Sequence, residues 1–169
     1  MKLSKVERLM LVNQYLILEK LYPDEQEFYA NNRKAVEEGF ELHYSDLFTG
    51  FSDETLTEEE CREVLDILSM FRSITFSYEG LEDKEGIKEY YIKFDGFDLN
   101  DEYEGRRVIY ARYFINDLDR FEELKYGNKY ADCNSHSLRM DRYRQMLSRW
   151  NMMDNKYELS KNDIIKIIG

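Results

Sequence analysis

Proline is almost missing from this chain: Pro23 is the only one in 169 residues, so little in the sequence forbids long helices. Glycine is scarce too, with eight, and such a composition does not read as disordered or low-complexity. Cys61 and Cys133 are the only cysteines. That number builds no disulfide framework, and with no signal-peptide pattern at the N-terminus we expect both as reduced thiols in the cytoplasm. No apolar run spans a bilayer, because the longest candidate, residues 4–22, is interrupted by Glu7, Arg8, Asn13, Gln14, Glu19 and Lys20. Positive charge is in deficit, 24 Lys and Arg against 35 Asp and Glu for a net charge of −11. The resulting field repels phosphate backbones and argues against nucleic-acid binding. A glycine-rich phosphate loop, a Gly-x-Ser-x-Gly elbow and a His-Glu-x-x-His pair are all missing.

What is present is helical periodicity. The length fits one domain able to bury roughly 70% of its unfolded surface. Residues 4–22 are apolar nearly all the way round, with Val6, Leu9, Met10, Leu16, Ile17 and Leu21 flanking Asn13 and with Leu11, Val12 and Leu18 opposite. This pattern predicts a central helix enclosed by the chain or by a second copy. Pro23 ends it, and a second helix follows over 24–38, capped by Asp24 and stopped by Gly39. A short helical turn is expected around 44–48. Thr57 and Glu60 form a capping box for a third helix ending near Gly80, with Cys61, Val64, Ile67, Leu68, Phe71, Ile74 and Tyr78 inward and Ser69, Ser73 and Ser77 outward. Tyr90, Ile92 and Phe94 alternate with Tyr91, Lys93 and Asp95, which admits one short β-ribbon near residues 88–98. A long fourth helix is predicted over 100–125. A fifth carries Tyr143, Met146, Leu147 and Trp150 on its inner face, and Ser160 with Asp163 caps a sixth over 161–168. The fold class is therefore all-α, a multihelical single domain over residues 1–169 with five to seven helices, the third, fourth and fifth packed on the first.

Candidate chemistry is sparse. Asn13 and Gln14 are expected as structural buried polar residues, since an amide enclosed in protein costs about 1 to 3 kcal/mol unless paired and so fixes packing geometry. Cys133 and His136 have a Cys-x-x-His spacing, but Cys61 lies on a helix face, and a four-ligand zinc site is not expected. A Cys133 nucleophile with His136 as base is the weaker alternative to an ordinary loop. Asp95, Asp98, Asn100, Asp101 and Glu102 form an oxygen-rich cluster that fails the EF-hand spacing; capping of the fourth helix is the simpler reading. Arg106, Arg107, Arg142 and Arg149 are candidate anion-binding residues if the fourth and fifth helices meet, the plainer alternative being pairing with the surplus carboxylates.

Taken together, Glu7-Arg8-Leu9-Met10-Leu11 with Asn13-Gln14-Tyr15, Cys61-Arg62 with Asp66-Ile67 and Met70, Gly96-Phe97-Asp98, the Tyr143 to Trp150 stripe, and Leu159-Ser160 leading to Ile164 and Ile168 resemble the bacterial YfbU family. The likeness spans essentially the whole chain. It implies a multihelical cytoplasmic protein of a family without an established biochemical activity, and it transfers no catalytic residues. The expected role is a self-associating interaction or regulatory module, a dimer with protein partners, with no cofactor, metal, membrane or catalytic residue. A small-anion or phosphometabolite-binding protein or enzyme using the arginines is the alternative.

Overall fold

Helix α1 (Lys5–Leu21) begins where Ser4 and Glu7 cap each other, the Ser4 side chain accepting from the Glu7 N–H and the Glu7 carboxylate accepting from the Ser4 N–H. This computed structural model describes residues 2–52 and 54–169, and the chain divides into two compact units, Met1–Thr55 and Leu56–Gly169.

In the first unit, α1 packs against α2 (Gln26–Glu38). Pro23 starts a single tight turn, Pro23–Glu25, so α2 begins two residues later than the sequence predicts and Asp24 does not cap it. Gly39 stops α2 at φ +77, a conformation that suits glycine. Arg8 near the start of α1 donates to the carbonyls of Val36 and Glu37 at the end of α2, which makes the helices antiparallel and places a cation at the negative end of α2. Two further tight turns, Glu41–His43 and Asp46–Phe48, stand where one was expected.

The second unit is organised around α3 (Glu58–Glu79), capped by Thr57 and Glu60 as predicted. Val64, Ile67, Leu68, Met70, Phe71 and Ile74 are buried, each worth about 1.5–3 kcal/mol in area removed from water. Burial extends past the predicted stripe: Ser73 and Thr75 are inside, and the Ser73 hydroxyl donates to the Ser69 carbonyl. Helices α4 (Glu89–Ile92), α5 (Glu102–Arg112), α6 (Met140–Asn151) and α7 (Lys161–Ile168) all contact α3. Within the second unit the central helix is α3, and the predicted third, fourth and fifth helices all belong to this unit, whereas α1 belongs to the first. At the centre, Phe71, Phe94, Phe97 and Tyr143 stack with ring centroids 5.1 to 5.9 Å apart.

Two further expectations are corrected here. The described residues contain no strand: residues 88–98 hold the one-turn helix α4 and an extended piece whose single bridge joins Phe97 to Asn134. The alternation holds only in part, since Ile92 and Phe94 are buried and Lys93 and Asp95 exposed, but Tyr90 is exposed as well as Tyr91 and no strand forms among the described residues. The fourth helix is also shorter than predicted. After α5 the backbone widens into a π turn, Tyr113–Asp117, then breaks where Asp119 and Phe121 take positive φ. Phe121 thereby enters the core beneath Arg72, whose guanidinium lies 4.1 Å from its ring centre.

Candidate interaction surface

Helix α1 has two apolar faces, and only one of them meets α2. Arg8, Leu11, Val12, Tyr15, Leu18 and Glu19 are buried or half-buried, with Tyr15 6.4 Å from the ring of Tyr29 and Glu19 paired to Arg33 at 2.6 Å. Val6, Leu9, Met10, Leu16, Ile17 and Leu21 project from the opposite side and are 46 to 67% exposed. At ~100° per residue these six fall in one band with Asn13 in its middle. Asn13 and Gln14, expected to be enclosed, are exposed in the single chain, because the face that meets α2 is the other one. Isolated exposed leucines are ordinary on a surface, whereas here six large apolar side chains lie in one band along about four turns of helix.

Arg107, Arg142 and Arg149 each have a different partner. Arg107 is buried, its guanidinium 3.6 Å from the ring centre of Tyr103 and 2.9 Å from a Glu60 carboxylate oxygen. Arg142 donates to the Tyr91 carbonyl at 3.2 Å and Arg149 to the Ile167 carbonyl at 3.1 Å. Arg106 is half-buried on α5. Arg144 takes the other oxygens near Arg107, meeting Glu63 at 2.6 Å and the Tyr103 hydroxyl, and Glu63 holds its pKa above the ordinary arginine range. Arg107 and Arg144 thus neutralise the acidic start of α3.

The loop carrying Cys133 and His136 borders a cleft of about 270 Å³ lined by Asp95, Lys125, Tyr126, Asn128, Asp132 and Asn134 among others. Cys133 is buried, and burial pushes its thiol up to about 12, the opposite of what activates a nucleophile. His136 is exposed and contacts the Asn134 side chain at 3.3 Å. Among the described residues no three His, Cys, Asp or Glu side chains gather as a metal site, and no helix is long and apolar enough to cross a membrane. The acidic cluster does what capping requires: Asp101 accepts from the Tyr103 and Glu104 N–H groups, and Asp95 pairs with Arg139 at 2.6 Å.

One polar residue that sequence reasoning missed is Glu104. Its carboxylate is buried and accepts from the backbone N–H groups of Asp98, Arg139 and Met140 at 2.7 to 3.1 Å, capping α6 from another helix. The inward face of α5 is Glu104, Arg107, Val108 and Ala111, so half of it carries charge and leaves no hydrophobic signal.

The model of the YfbU domain matches residues 1–169, the whole chain. The chain belongs to the YfbU family. It is also 37% identical over 171 residues to UPF0304 protein MJECS11 of Methanocaldococcus jannaschii, covering 99% of each. In this YfbU chain, residues that carried the resemblance have structural duties. Arg8 ties the ends of α1 and α2 together. Gly96, at φ +90, lets residue 97 reach the Cys133 loop, and Tyr143 accepts from the Asp95 N–H at 3.2 Å. Ser160 opens α7. Leu9 and Met10, by contrast, are exposed and have no such duty within the chain.

Proposed function

We propose that this YfbU protein is a non-catalytic interaction module that self-associates, as a dimer, through the outer face of α1, and that it works in the cytoplasm with its cysteines reduced. The observation that carries this reading is the uncovered apolar band on α1. A second fact supports it: among the described residues of the first unit the buried apolar side chains are Tyr15, Val36 and Tyr44. A two-helix unit with so thin a core needs an additional partner for its apolar surface. Both cysteines are free, in keeping with a reducing compartment.

Light scattering on the purified protein and on Ile17→Glu tests this. Wild type should run at twice the chain mass of 20.5 kDa, and the variant, which places a charge in the apolar band, should run as a folded monomer. A monomeric wild type at micromolar concentration refutes the reading.

A further inference from the structure

We infer that the partner of α1 is α1 of a second copy, running antiparallel, with the two-fold axis passing beside Asn13. This rests on the proposed self-association and specifies its geometry. The four inner apolar positions are mirrored about residue 13, Leu9 and Met10 lying four and three residues before it and Leu16 and Ile17 three and four after it, while the outer Val6 and Leu21 fall opposite Lys20 and Lys5. Residue 13 is also the midpoint of Lys5–Leu21. Only an antiparallel crossing at that point sets Leu9 against the partner helix's position 17 and Met10 against its position 16 over the full length of both helices.

The amide chemistry agrees. A two-fold interface brings a surface patch against its own copy, and residues on the axis meet themselves. A carboxylate or an ammonium there would meet like charge. An amide carries both donor and acceptor, so Asn13 can donate to and accept from its symmetry mate. An asparagine at the midpoint of the band fits that requirement, and the band's other polar residue, Lys20, lies seven residues from the axis and does not meet itself. Each α1 already packs antiparallel on its own α2 through its opposite face, so two copies pairing through the outer face place the two α1 helices side by side, each with its own α2 on the far side. The apolar band that the first unit leaves uncovered is then buried by the second copy.

Disulfide trapping reads the orientation. In a Cys61→Ser background, with the buried Cys133 left in place, single cysteines are placed at Leu9→Cys, Ile17→Cys and Asn13→Cys and oxidised at micromolar protein concentration. Antiparallel pairing predicts a covalent dimer from Asn13→Cys and from an equimolar mixture of Leu9→Cys with Ile17→Cys. It predicts little from Leu9→Cys alone, since those two positions would stand about 12 Å apart along the axis and a disulfide needs its Cα atoms within about 7 Å. Efficient trapping of Leu9→Cys with itself would show parallel pairing and overturn this inference while leaving self-association intact. A wild type that is dimeric by light scattering but traps at none of these positions overturns α1 pairing altogether. A monomeric wild type defeats both readings. A second readout uses Asn13→Asp, expected to weaken dimerisation at least tenfold at neutral pH and to recover it once the carboxylate is protonated; dimerisation equal to wild type at neutral pH would contradict self-pairing at the axis.

Discussion

Gly96 shows how narrowly a single residue can be constrained here. A Cβ built on it would lie 2.1 Å from the Cys133 carbonyl carbon and oxygen, and its φ of +90 is one that side-chain-bearing residues avoid. The close approach lets the Phe97 N–H donate to the Cys133 carbonyl at 3.0 Å and the Phe97 carbonyl accept from Ser135 at 2.9 Å. Gly96→Ala should therefore cost more than about 2 kcal/mol in denaturant unfolding, and a near-neutral result would show that the loop can move aside. Glu104→Ala should cost about 3 kcal/mol, because three backbone N–H groups lose a charged acceptor inside the protein. At Cys133, burial should make alkylation in the folded protein at least tenfold slower than in denaturant, with labelling followed by mass. The sequence marked Gly96 as one of the residues carrying the family resemblance, and Cys133 as an ordinary loop residue. It could not show that the two touch, because such contacts join positions far apart in the chain.

Helix starts were the most legible elements, since a cap is written in four adjacent residues. Thr57 with Glu60 and Ser160 with Asp163 both cap as their spacing predicts. The Thr57 N–H and the Arg107 guanidinium hold the Glu60 carboxyl below its usual value near 4.5. With the folded pKa depressed, the stabilisation is complete above that value and is lost as pH falls through the lowered pKa. Glu60→Gln should therefore lose less stability than wild type between neutral pH and the acid range; parallel acid profiles would contradict this. Helix ends and breaks were harder to read. Tyr110, Phe114, Leu118 and Phe121 continue a helical stripe past the point where the chain leaves the helix. Burial of Phe121 at positive φ outweighs local propensity there, and nothing near residue 119 announces it.

Across the whole molecule, the two units differ in how much they bury. The second gathers residues of α3, α5, α6 and α7 into one apolar cluster, whereas the first has Tyr15, Val36 and Tyr44. The all-α class was plain from periodicity, and so was the double-sided character of α1. The division into two units was not, because α1 and α3 both carry wide apolar faces and nothing in the periodicity assigns them to separate cores. Hydrogen exchange should show the contrast: amides of α3 protected by the full unfolding free energy, those of α1 less so, and α1 protection falling as the protein is diluted. Concentration-independent protection in α1 would mean that no second copy covers it. Sedimentation equilibrium of the wild-type chain across the micromolar range is the most direct measurement of the proposed assembly. The account predicts a species of twice 20.5 kDa that dissociates reversibly on dilution, and a single 20.5 kDa species throughout would contradict it.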